Sequence, residues 1–168
     1  MYVTHEKTNR EESISLTEQE LWKAYLSTLP EELASTLHYT AWHFCDNEAD
    51  ANELAELVLA GVKRGTASSL WTYDITGDPV PVVGERSVIL DWSGNAKCVI
   101  QTTHMDIVPY GEVTEAFAAI EGEGDKSLAY WRAAHEAFFT RECERLGLIF
   151  DESMPVICEQ FEVVYKPL

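Results

Sequence analysis

The amino-acid sequence predicts an α+β fold, a small and mostly antiparallel β-barrel or sheet with helices on its outside. Three observations carry that prediction. Segments with helical spacing of apolar residues are interleaved along the whole chain with short strand-like runs. The turn Ser93-Gly94-Asn95 joins two β-rich runs, which is how antiparallel neighbours are usually linked. The chain has 168 residues, 46% of them apolar and five of them Trp, which suits one compact core.

Taken in order, the first dozen residues read as a polar arm without an export signal. Thr17-Glu18-Gln19-Glu20 is a capping box, followed by Leu21, Trp22, Tyr25, Leu26 and Leu29 at helical spacing until Pro30 stops the run. The helix over residues 17 to 29 is expected to lie on the outside of the fold. His38 to Cys45 alternates like a strand. Asp46 and Asn47 can cap a second helix with Leu54, Leu57, Val58 and Gly61 as its inner stripe, and Gly65 is placed to end it in the left-handed region. Ser68 to Trp71 reads as extended, and Asp74 to Glu85 as a loop entering a strand. Ser87 to Trp92 and Ala96 to Thr103 form the hairpin, with His104 to Val108 extending its second strand. A short helix is expected over Thr114 to Ile120 and a long one over Ser127 to Leu146, closed by Gly147. Val156 to Tyr165 is a final strand.

Charge restricts the partners. Twelve Lys and Arg stand against 29 Asp and Glu, a formal net charge of −17. A mean field of that sign repels duplex DNA, so any nucleic-acid contact must be local and made where the few cations gather. No apolar run is long enough to span a membrane. The four cysteines contain no C-x-x-C pair and are read as reduced, pointing to a cytoplasmic location. The sequence leaves the oligomeric state open and allows a homodimer.

Two segments exceed what packing requires. In Gly61-Val62-Lys63-Arg64-Gly65-Thr66, adjacent cations leave a helix and a hydroxyl follows. A helix C-terminus alone accounts for such cations through the macrodipole. The functional alternative has Lys63 pointing into a cleft, where desolvation would lower its pKa and let it act as base toward Thr66. In Glu121-Gly122-Glu123-Gly124-Asp125-Lys126-Ser127, three carboxylates alternate with glycines ahead of a helix. Capping explains Asp125 or Ser127 but not the other two carboxylates. A hard divalent cation such as Mg2+ or Mn2+ is the alternative, although the EF-hand pattern fails because Arg132 holds the place of its closing Glu. Arg132 would bind a phosphate or carboxylate, or pair with Glu136. His135, between Trp131 and Phe138, reads as a packed histidine. No dinucleotide-binding or Walker motif and no protease triad can be read from the spacing.

On these same residues the chain resembles the ASCH domain family of the PUA-like superfamily. Gly61 to Thr66 matches its G-x-K-x-x-[ST] motif. Ala67-Ser68-Ser69-Leu70, Pro81 to Glu85, and Glu121 to Asp125 with Ser127, Tyr130, Trp131 and Arg132 look like its longer bacterial members. The resemblance spans about residues 37 to 168, leaving 1–36 as an N-terminal arm and helix. It implies a PUA-like barrel beside a cleft that binds RNA or nucleotide-like ligands, and an activity of ribonuclease or acylcytidine-amidohydrolase type. In amide cleavage Thr66 would attack, Lys63 would be the base and Glu123 would shuttle a proton, with Glu121 in reserve. In RNA cleavage Lys63 and Ser127 would serve phosphate and proton transfer while Arg132 offsets charge. The substrate would be a short single-stranded RNA or a nucleoside, held by Arg64, Ser68, Trp71, Glu121, Asp125, Trp131 and Arg132. The competing readings are a non-catalytic module that recognises RNA or a modified base, and a protein-interaction domain docking through its first helix.

Overall fold

The structure is a computed structural model that describes residues 15–167; the polar arm expected over the first dozen lies outside the described residues. Helix α1 (Glu18–Leu26) begins at the capping box, with Glu20 N–H donating to the Thr17 hydroxyl and Thr17 N–H to the Glu20 carboxylate. A short α2 (Glu31–Ala34) leads to β1 (Tyr39–Trp42), α3 (Glu48–Leu59) and β2 (Gly65–Ser69). Then follow α4 (Leu70–Thr76), β3 (Arg86–Leu90), β4 (Ala96–Pro109), α5 (Glu115–Glu121), α6 (Leu128–Leu146) and β5 (Pro155–Tyr165).

The five strands form one sheet in the order β1-β3-β4-β5-β2. Only the β1–β3 pair is parallel. Of the two forms the sequence allowed, barrel or sheet, the described strands make an open sheet, with β1 and β2 as its unpaired edges. The cause is the central pair. β4 and β5 run together from Val99↔Tyr165 to Pro109↔Pro155 and slip register twice, and such irregularities bend a ladder. The bend brings the two edges to face one another across a cleft.

Alternation along β3 and β4 divides the core. Val88 and Val99 point to the face covered by α1, where they meet Leu21, Trp22 and Tyr25. Ile89, Cys98 and Ile100 point to the opposite face and meet Ala55 and Val58 of α3. A third cluster packs α5 and α6 on the far halves of β4 and β5 through Phe117, Trp131, Phe139, Met154 and Val156. The first helix is therefore not an exposed docking surface, because its three large apolar side chains are buried against the sheet.

Other expectations shift for physical reasons. The buried stripe of α3 is Ala51, Ala55 and Val58, with Leu54 and Leu57 only half-buried and Gly61 exposed. The left-handed residue after α3 is Gly61 (φ +73°) rather than Gly65. Gly65 opens β2, where a Cβ would lie 3.0 Å from Glu159 O and 3.1 Å from Ile120 Cγ2, so it is glycine for closeness. Leu70 and Trp71 begin α4 instead of continuing an extended run. Among the described residues all four cysteines are free, and no helix is long and apolar enough to cross a membrane.

Candidate active site

Lys63 lies on neither helix nor strand. Gly61 turns the chain out of α3, and the next residues are stitched between two elements: Arg64 N–H donates to Ile120 O (2.9 Å) and Arg64 O accepts from Phe161 N–H (2.9 Å). These bonds drive the Lys63 side chain inward, where it is 1% exposed. That removes the macrodipole explanation, which suits a cation in water at a helix end.

The carboxylates arrive from α5. Gly122 ends that helix at φ +69°, and the reversal aims both Glu121, in the last turn, and Glu123, just beyond it, at the same point. A Cβ on Gly122 would stand 2.3 Å from Val62 O, so only glycine lets the two segments touch. Gly124 (φ +53°) likewise lies under the Tyr130 ring, 2.5 Å from where a Cβ would be. Lys63 Nζ consequently sits 2.8 Å from Glu121 Oε2 and 2.6 Å from Glu123 Oε1, across sequence separations of 58 and 60 residues.

Glu121 is itself enclosed. Its Oε1 accepts from Trp131 Nε1 (2.9 Å) and lies 3.4 Å from His135 Nε2. The His135 ring stacks on Trp131 (centroids 4.1 Å apart), and its Nδ1 is 2.8 Å from Trp131 O. Lys63 Nζ also lies 5.1 Å from the centre of the Phe44 ring.

These contacts order the proton affinities. Burial alone would lower the Lys63 pKa, but Glu121 and Glu123 outweigh it and raise the pKa above the ordinary lysine value. Burial pushes Glu121 upward, yet Lys63 and His135 hold it well below the usual carboxylate range. Burial and the neighbouring Glu121 raise Glu123 against the pull of Lys63. Burial disfavours charge on His135, and Glu121 overcomes it to raise the imidazole above its ordinary value. The cluster thus holds one firmly charged ammonium, one firm carboxylate, and two groups that bind protons more tightly than usual. The base role expected of Lys63 required a lowered pKa, and its two carboxylate partners produce the opposite.

A cavity of about 280 Å³ opens over this cluster, bounded by Phe44, Leu54, Leu57, Tyr130, Phe138 and Arg141 as well as by the charged groups. A second cavity of about 540 Å³ adjoins it between β1 and β2, sharing Phe44, Cys45, Thr66, Ala67 and Phe138. Thr66 faces both and makes no hydrogen bond to Lys63 among the described residues. Glu121, Glu123 and His135 each offer a donor atom within 4.8 Å of the others, a set that would suit a divalent cation. The Lys63 ammonium already bridges both carboxylates, so a metal there would meet direct repulsion from it.

The remaining expected site residues divide. Ser68 lines the second cavity. Ser127 is instead the N-cap of α6, its hydroxyl accepting from Tyr130 N–H at 3.0 Å, and the exposed Asp125 accepts from Ser127 N–H at 2.9 Å. Neither lines either of the two cavities described above. Arg64 is exposed and contributes its backbone. Arg132 donates to Gly111 O (2.9 Å) and covers the Tyr110 ring, tying the turn at residues 110–112 to α6, and among the described residues it makes no ion pair with Glu136. Trp71 is half-buried against the core cluster around Phe139, and the Trp131 ring is buried under His135, which leaves Trp131 no free face for a base. Sequence reasoning missed His135, Phe44 and Phe138. His135 carries no local signal, because its spacing beside Trp131 and Phe138 is that of a packed histidine.

The sequence from residue 40 to 165 matches the family model described as the ASCH domain. A search of curated proteins finds no match. Among solved structures, the fold is similar to an ASCH domain from Lactobacillus crispatus JV V101, at 42% identity and a TM-score of 0.84, covering 88% of this chain and 93% of that one. It is also similar to a protein from Enterococcus faecalis V583, at 33% identity and a TM-score of 0.79, covering 87% of this chain and 86% of that one. The chain belongs to the ASCH domain family.

Proposed function

We propose that the chain is a hydrolase that cleaves an amide on a small nucleoside-like substrate held in the paired cavities. The supporting observation is the Lys63–Glu121–Glu123 cluster, an ammonium and two carboxylates buried together beneath an open cavity. Burying three charged groups is costly, and an apolar core of similar volume is often no less stable, so such a cluster beside a cavity favours function over structure. The family resemblance supplies nucleosides and RNA as the substrate class. The acidic surface favours a small substrate over a long polyanion.

The roles follow from the charge order. Thr66 Oγ attacks the amide carbon, its proton passes to Glu123, and the Lys63 ammonium faces the oxyanion that forms. Glu123 then returns the proton to the departing amine, leaving an ester on Thr66. Water hydrolyses the ester with the same carboxyl accepting and releasing the proton, which regenerates Thr66. Glu121 touches no substrate; it fixes Lys63 and His135. The test offers N-acylated cytidines and short single-stranded RNAs to the wild type, Glu123→Gln and Thr66→Val. We expect acylcytidine turnover that falls at least about a hundredfold in Glu123→Gln. Saturable binding without turnover would replace this reading with that of a recognition module, and RNA cleavage would replace it with that of a ribonuclease.

A further inference from the structure

The second cavity carries acidic side chains that have no role in the proposed cleavage. Four carboxyl groups line it, from Asp78, Glu85, Glu142 and Glu159, and among the described residues no Lys or Arg does. Glu159 is only 5% exposed. One of its oxygens accepts from the buried Thr102 hydroxyl, and among the described residues no cationic side chain pairs with the carboxyl group. Glu142 is half-buried, and the Thr72 hydroxyl is its polar neighbour. Burial raises the proton affinity of both groups. The walls are aromatic, formed by Trp42, Phe44, Tyr73 and Phe138. Carboxyl groups with no Lys or Arg beside them, lining a cavity together with aromatic side chains, constitute a site for a group that supplies N–H donors and positive charge.

We infer that the cavity between β1 and β2 binds an organic cation, an ammonium group carried on a small apolar or aromatic body, and that Glu159 and Glu142 are the residues that select it. Two carboxyl groups receive its N–H donors while the ring faces of Trp42 and Phe138 cover its body. A phosphate in the same place would find no positively charged partner and would face four acids. Because this cavity adjoins the Lys63 cavity through Thr66, a substrate with a cationic end would be gripped here and presented to Thr66 there. The binding claim itself does not depend on the hydrolase reading.

Calorimetric titration tests it with benzylammonium and with benzyl alcohol, which has nearly the same shape and no charge. The wild type should bind benzylammonium saturably and at least about tenfold more tightly than benzyl alcohol, a ratio equivalent to about 1.4 kcal/mol. Glu159→Gln and Glu142→Gln, each with wild-type near-ultraviolet circular dichroism, should lose most of that preference. Glu123→Gln should keep it even where turnover is lost, which separates this claim from the proposed cleavage. Equal affinity for the two probes, no binding of benzylammonium, or a preference that survives in both glutamine variants would overturn the inference. Should Glu159→Gln fail to fold, Glu142→Gln alone decides.

Discussion

At the scale of single residues, the site turns on which groups keep their protons. His135 and Glu123 both hold protons more tightly in the folded chain than free side chains do. A group whose folded pKa is raised contributes stability that is fully present below its unfolded pKa and is lost as pH rises through the folded value. For His135 that loss begins above about 6.5, the ordinary imidazole value, so stability should decline as pH rises from there through the raised folded value. Urea unfolding at a series of pH values checks this. His135→Gln should flatten the decline above pH 6.5, and an unchanged slope in the variant would assign the decline elsewhere. Glu121 has the opposite sign, since its lowered pKa gives stability that is present above the ordinary carboxylate value and is lost progressively as pH falls below it. In the sequence, Lys63 and the acidic glycine run stood out because cations are few and carboxylates rarely alternate with glycine. His135 did not, because an imidazole between aromatic residues gives no sign of the carboxylate it meets through the fold.

At the scale of elements, the short connectors matter more than the helices they join. The turn at Gly122 allows Glu121 and Glu123 to meet Lys63, and its missing Cβ leaves space for the Val62 carbonyl. Gly122→Ala meets both a left-handed backbone and a collision with main chain, so it should destabilise the fold by about 2–4 kcal/mol. Thermal or urea unfolding measures that, and a loss below about 0.5 kcal/mol would mean the loop moves aside freely. The elements themselves were largely legible. The capping box at Thr17, the N-cap of α6 and the terminating Pro30 and Gly147 are local signals, and α1, α5, α6 and the hairpin lie close to where the sequence puts them. Gly65 and Leu70-Trp71 were misread because tertiary contacts decide them. Gly65 is pressed against Glu159 and Ile120, and Trp71 turns into α4 to reach the core.

At the scale of the whole molecule, the sequence announced an antiparallel α+β architecture but not its closure. Strand register and the parallel β1–β3 pairing depend on contacts between distant segments, which no local pattern records. Nor does local pattern show that β1 and β2 stay apart and leave a cleft, or that the first helix closes one face of the sheet with Leu21, Trp22 and Tyr25. The net charge of −17 lies mostly outside the site, so the buried Lys63 is the exception that the fold is arranged around. The most direct measurement is site-resolved nuclear magnetic resonance titration of the Lys63 side-chain nitrogen and the Glu123 carboxyl carbon in the intact protein. Lys63 should stay protonated beyond the ordinary lysine value while Glu123 titrates above the ordinary glutamate value of about 4.3. A Lys63 amine that loses its proton near neutral pH, or a Glu123 that titrates like an exposed carboxylate, would contradict this charge order.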